Sequence, residues 1–187
     1  MYMQTQARRT VRIHPSELGK DLDAIITRIA QKTFEGKLGH DKSVTVLVTN
    51  VKRVGDGRIV HGDGAVYQDV TFDQLVFKIK DNELVEGTVV KITKFGAFVK
   101  FGPLDGLLYV SQVLDDRVDI DLENQRLVGK ETGRSLSIDD RVRARIVGVE
   151  LNEKNVRDSR IALTMRQPGL GKLEWIAEDA NKGRGEA

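Results

Sequence analysis

A chain of 187 residues with 40% hydrophobic content can bury the core of one large domain or two small ones, and 30 Lys plus Arg against 28 Asp plus Glu leave a net charge of only +2. So balanced a charge does not by itself announce a nucleic-acid binder. With no cysteine, disulfides, thiolate metal sites and cysteine nucleophiles are excluded, and an intracellular setting is the natural inference.

The first half reads as a mixed α/β unit. A strand around Ala7 to Ile13 runs into a break at His14-Pro15-Ser16. Leu18, Leu22, Ile25, Ile26 and Ile29 then fall on one helical stripe, with Gly36 as the stop just past Phe34-Glu35. From Ser43 to Val51, Val44, Val46 and Val48 alternate with Thr45, Leu47 and Thr49, the pattern of a largely buried strand. Two glycine turns follow. Gly55-Asp56-Gly57 and Gly62-Asp63-Gly64 bracket Arg58-Ile59-Val60-His61 and predict a short, protruding, hairpin-like loop. A strand system from Ala65 to Ile79 closes the half, and Lys80-Asp81-Asn82 reads as a boundary between residues 1–82 and 83–187. With 3 prolines and no long Ser/Gly tract, the two domains are expected to abut.

The second half carries the chemistry. In the strand from Ala97 to Phe101, alternation sends Ala97, Val99 and Phe101 to one face and Phe98 with Lys100 to the other. An exposed ring beside an ammonium group suits single-stranded nucleic acid, because every base has a π-face and every link a phosphate charge. A strand phenylalanine is more often core, so the ring alone does not decide the point. Farther on, Arg141, Arg143 and Arg145 alternate with Val142, Ala144 and Ile146 and form a basic stripe; pairing with Asp139 and Asp140 on a solvated face explains the residues equally well. Leu170 to Ala180 has helical character, Trp175 reads as a packing anchor rather than a stacking platform, and the polar segment from Asn181 to Ala187 is expected to fray.

Other sites carry less. His14, His40 and His61 lack metal-ligand spacing, so no metal is expected. Asp115, Asp116, Asp119 and Asp121 could hold magnesium in an RNA-processing enzyme, but no phosphate-binding loop or activated nucleophile accompanies them, and a solvated loop is the simpler account. His61-Gly62-Asp63-Gly64 reads as a turn rather than an acid–base pair. Neither catalysis nor a cofactor is expected. Apolar runs are broken by charge within a few residues, and MYMQTQARRTVRIH lacks the apolar core of a signal peptide, so the protein is expected to be soluble and cytoplasmic, with no membrane association.

From Glu83 to Arg166, with Glu86-Gly87-Thr88-Val89, Phe95 to Ser111 and Asp140 to Ile146 as its markers, the chain resembles the RNA-binding module of ribosomal-protein S-one type. That module is a five-stranded OB-fold barrel with aromatics on its binding face. Tyr109 stands where the module usually has His, and the connection from Ser111 to Asp139 is longer than the minimal one. Further motifs extend the likeness over the whole chain: Phe34-Glu35-Gly36, Val60 to Ala65, Leu75-Val76-Phe77, Gly102 to Leu107, Leu163 to Pro168 and Gly171 to Ile176. Together they resemble the family of archaeal RNA polymerase stalk subunits of the E-prime type. The N-terminal stretch Met1 to Arg9 is more polar than that family's first strand, which leaves the strand's start open.

The resemblance implies an α+β protein, with a truncated ribonucleoprotein-like domain over residues 1–82, then an OB-fold barrel with a C-terminal helix over 83–187. It implies a non-catalytic RNA polymerase component that pairs with the small helical F-type stalk subunit, docks on the RNA polymerase core and binds emerging single-stranded RNA. Phe95, Phe98, Tyr109, Lys91, Lys94, Lys100, Arg141, Arg143 and Arg145 are then the RNA-binding candidates, and Gly55, Gly57, Gly62, Asp63 and Gly64 belong to the loop that reaches into the polymerase. A free-standing RNA-binding factor of translation or decay is the alternative.

Overall fold

The computed structural model describes residues 1–19, 21–39, 41–152, 156 and 159–184. Strands dominate, in an α+β arrangement that divides into two compact units, Met1–Ile79 and Lys80–Ala187. His40, one of the three histidines considered as metal ligands, lies outside the described residues.

The first unit is an antiparallel sheet in the order β1 (Tyr2–Ile13), β3 (Val66–Lys78), β2 (Ser43–Ile59), with helix α1 (Leu22–Phe34) on one face. Asp21 starts the helix by accepting from the Asp23 and Ala24 amides, and Gly36, at φ 71°, turns the chain out of it. Ile25, Ile26 and Ala30 of α1 close over Val11, Ile13, Val48, Val70 and Phe72, and Phe34 stacks on Phe72 at 5.1 Å. This core is where the helical stripe and the strand alternation meet.

Three expectations are corrected in this unit. The first strand begins at Tyr2 rather than near Ala7, because β1 pairs with β3 along its whole length and Tyr2 meets the Phe77 ring edge-on at 4.9 Å. Leu18 precedes the helix, is exposed, and ends the short 3-10 turn Pro15–Glu17 that realises the His14-Pro15-Ser16 break. Gly55-Asp56-Gly57 is not a turn. It lies inside β2 as a bulge, where the ladder steps from Val54–Asp69 to Arg58–Tyr67, and the buried Gln68 amide fills the gap by donating to the carbonyls of Val54, Gly55 and Asp69.

The second unit is a closed five-stranded barrel. β4 (Leu84–Thr93), β5 (Gly96–Phe101) and β6 (Leu104–Tyr109) form an antiparallel meander; β11 (Arg160–Thr164) joins β6 in parallel, and β10 (Arg141–Glu150) pairs with both β11 and β4 to close the ring. Val89, Ala97, Val99, Leu108, Val142, Ala144, Ile146 and Leu163 fill its interior, so closure gives each barrel strand two neighbours and leaves alternate residues facing out.

The long connection after Ser111 forms a sheet of its own: β7 (Val118–Asp121), β8 (Arg126–Gly129) and β9 (Ser135–Ser137), with Leu127 and Leu136 buried. Its aspartates brace turns. Asp116 accepts from the Glu131 and Thr132 amides, Asp121 from Asn124 and Arg126, Asp119 pairs with Lys130, and Asp115 pairs with Arg166. Among the described residues no group of three or more His, Cys, Asp or Glu could hold a metal.

After the barrel, Gly171–Lys172 (β12) adds to β10, and helix α2 spans Leu173–Arg184, later at both ends than the predicted Leu170 to Ala180. Asn181 to Arg184, expected to fray, are helical, and residues 185–187 lie outside the described residues. Trp175 is buried, as a packing anchor should be; Gly171 leaves room for its ring and the Arg134 guanidinium stacks on it at 5.6 Å. No described helix is long and apolar enough to cross a membrane.

Candidate nucleic-acid interface

Because the barrel is built from alternating strands, one register fixes every outward side chain on neighbouring strands. Three rungs cross the β6-β5-β4-β10 face: Tyr109–Gly96–Thr93, then Leu107–Phe98–Lys91, then Asp105–Lys100–Thr88–Arg141. Two more follow along β4 and β10 as Glu86–Arg143 and Leu84–Arg145. Directly opposed side chains in such ladders are roughly 5 Å apart, so rings and cations form one contiguous surface. A bulge at Val90 of β4 keeps Lys91 opposite Phe98.

The rings are graded in exposure. Phe95 is 62% exposed at the β4–β5 turn, Tyr109 is 48% exposed at the end of β6, and Phe98 is half-buried between Lys91 and Leu107. The turn is fixed by its own bonds: Thr93 Oγ1 donates to the Gly96 carbonyl, and the Val110 amide donates to the Phe95 carbonyl. Phe95 is thereby tied to the residue that follows Tyr109. Gly96 has φ 147°, and any side chain there would run into the Leu108 carbonyl, so this tight corner admits only glycine. Lys94 places its ammonium 5.1 Å from the Phe95 ring centre.

Charge on this face is uneven. Lys91, Lys100, Arg141, Arg143 and Arg145, with Lys94 at the rim, share it with the carboxylates Glu86 and Asp105. Arg143 donates through Nε and Nη2 to Glu86 Oε1 at 3.0 and 2.8 Å, and Arg141 comes within 3.9 Å of Glu86 Oε2. Asp140, a candidate partner of the stripe on sequence grounds, is instead engaged by Lys172 at 2.9 Å and by the Ser137 amide. The Arg145 Nε is buried and, among the described residues, has no acceptor. Among the described residues no carboxylate pairs with Lys91, Lys94 or Lys100.

The second candidate surface is the hairpin between β2 and β3. Its turn spans residues 60–65, with Gly62 at φ 93° and Gly64 at φ 65°, while Gly55 and Gly57 lie in the bulge below. Asp63 accepts from Arg12 Nε and Nη2 at 2.8 and 2.5 Å and from the Tyr67 hydroxyl at 2.6 Å. The hydrogen bonds from Arg12 and then from Tyr67 hold its carboxyl well below the usual carboxylate range. Asp63 is a latch on β1 and β3 rather than a free group at the tip. The exposed apolar residues there are Ile59, 71% exposed, and Val60.

Comparison with known proteins places both units. Residues 8–64 match the "SHS2 domain found in N terminus of Rpb7p/Rpc25p/MJ0397", and residues 78–161 match the S1 RNA binding domain. The chain is 37% identical over 182 residues to DNA-directed RNA polymerase subunit Rpo7 of Sulfolobus acidocaldarius, covering 97% of this chain and 98% of that one. The chain belongs to the Rpo7 family. The Rpo7 subunit of Saccharolobus shibatae is 39% identical over 95% of this chain and 98% of its own, and DNA-directed RNA polymerase V subunit 7 of Arabidopsis thaliana is 27% identical over 80% and 83%. As a member of the Rpo7 family the chain is a subunit of DNA-directed RNA polymerase, a nucleotidyltransferase complex, and is not itself the catalytic component.

The register joins Phe98, Tyr109, Lys91, Lys100, Arg141, Arg143 and Arg145 on one face, with Lys94 and Phe95 at its rim. Two features escaped sequence reading. Leu107 extends the Phe98 rung as an apolar neighbour, and Glu86 neutralises part of the arginine stripe; both depend on which residue stands opposite which, and no local pattern encodes that.

Proposed function

We propose that this Rpo7-family chain pairs with the small helical F-type subunit to form the polymerase stalk, docks on the polymerase core through the β2–β3 hairpin, and binds emerging single-stranded RNA on the β6-β5-β4-β10 face of its barrel. It works in the cytoplasm and carries no cofactor. The observation that carries the RNA reading is the rung Leu107–Phe98–Lys91, a ring flanked by an ammonium on the outside of a barrel that matches the S1 RNA binding domain. Stacked bases need a ring and their phosphates need cations one step away, and this rung with its neighbour Lys100 supplies both. Because the rings read a π-face and the cations read phosphate, the binding is sequence-tolerant. The docking reading is supported by the exposed Ile59 and Val60, held on a latched hairpin.

Co-expression with the small helical stalk partner tests the pairing. A single elution peak containing both chains at micromolar concentration is the expected result, and separate elution of the two chains removes the stalk assignment.

A further inference from the structure

Glu86 stands in the middle of the arginine stripe, and its position has a consequence for how tightly the face can hold RNA. Resting on the RNA-binding reading above, we propose that Glu86 is a built-in competitor for RNA phosphate: its carboxylate occupies the Arg143 guanidinium in the free protein and is displaced by a phosphate when RNA binds. The geometry is that of a phosphate surrogate. A guanidinium presents a planar fork to carboxylate and phosphate alike, and Arg143 offers Nε and Nη2 to a single Glu86 oxygen, at 3.0 and 2.8 Å. Arg143 and Glu86 side chains are 38% and 44% exposed, so the pair is solvent-screened and cheap to exchange.

The neighbours make the exchange self-consistent. When Arg143 turns to a phosphate, Glu86 keeps Arg141, already 3.9 Å from its second oxygen, as a counter-charge. On the next rung Arg145 adds a guanidinium that, among the described residues, no carboxylate pairs with. The ligand is an unspecific polyanionic strand rather than a base sequence. The result is a grip weaker than the cation count suggests, which suits a surface that RNA must move across.

The test is RNA titration of the full chain with a fluorescein-labelled single strand of about 15 nucleotides, near the upper site size of one OB fold. Glu86→Gln keeps the shape and removes the charge, and is expected to tighten binding about two- to fivefold, the exchange value of an exposed ion pair. The salt slope should shift by less than roughly 0.7, the increment for one phosphate contact, because Arg143 meets a phosphate in both chains. In an Arg143→Gln background the same substitution should tighten binding less, and so should Asp105→Asn, which removes a carboxylate from the same face without breaking this pair.

Unchanged or weaker binding by Glu86→Gln overturns the proposal, as does an equal tightening in the Arg143→Gln background, which would mark a general field effect. Glu86→Thr, melted alongside, guards against a folding artefact. Phe98→Ala separates the two readings. If it weakens binding while Glu86→Gln is neutral, the face binds RNA and the competitor role is wrong; if neither variant changes binding, the face itself is wrong.

Discussion

Lys91 and Phe98 stand directly opposite each other on β4 and β5, both on the outside of the barrel. The pairing matters because a base stacked on the Phe98 ring carries its phosphate to the side, where an ammonium one strand away can meet it. Lys100, two residues along β5 on the same face, provides a second cation at the next rung.

From this follows an electrostatic prediction. Lys100→Gln removes one cation from a rung on which no described carboxylate pairs with it, so the salt dependence of single-stranded RNA binding should flatten by roughly 0.7 in log–log slope, one phosphate contact. Fluorescence titrations across a range of salt concentrations measure it. An unchanged slope returns Lys100 to ordinary solvated surface.

The hairpin prediction separates docking from RNA binding. Gly62 and Gly64 hold φ of 93° and 65°, which side chains rarely adopt, so replacing both with valine should reshape the turn beneath Ile59 and Val60. Retention by immobilised polymerase core should fall while RNA affinity of the barrel stays within about twofold, the scatter expected of an uncoupled site. Full retention by the core would exclude the hairpin as the docking element.

Acid titration should reveal the insert. The Asn124 side chain, the Asn124 amide and Arg126 hold the Asp121 carboxyl down at about 2 in the folded chain, whereas an unfolded aspartate titrates at roughly 3.9. A carboxyl depressed on folding contributes stability above the unfolded value, and that contribution fades as pH falls from about 4 towards 2. Asp121→Asn removes the group. Its stability deficit in urea should therefore be full at pH 7 and shrink below about pH 4; a deficit independent of pH contradicts the assigned pairing.

How much of this was legible in the sequence depended on the range of the interaction. Local periodicity found α1 through Ile25, Ile26 and Ile29, and alternation put Phe98 and Lys100 outside and Val99 inside, because both patterns are set by neighbours a few residues away. The motifs from Phe95 to Ser111 and from Arg141 to Ile146 carried the barrel. What failed was long-range. The Gly55-Asp56-Gly57 run has turn composition, yet pairing with β3 and the Gln68 side chain holds it inside a strand. Polar residues at Gln4 and Gln6 hid the start of β1, although β3 templates it through Leu75 and Asp73. Alternation puts Arg143 on the outer face, but its partner Glu86 lies 57 positions away and only register brings them together.

RNA binding by the outer barrel face, as proposed, turns most directly on Phe98. Replacing a base-stacking ring loses about 1 to 3 kcal/mol of binding, roughly five- to a hundredfold in affinity; truncating a core phenylalanine instead costs about 3 to 5 kcal/mol of folding stability through the cavity left behind. Phe98 is half-buried, so the two roles separate in one variant. Single-stranded RNA titration and thermal melting of Phe98→Ala, run side by side with the unmodified chain, make the decisive measurement. A loss of affinity in that range with a small change in melting temperature is expected; a large drop in melting temperature with affinity retained would contradict an RNA-stacking role for Phe98.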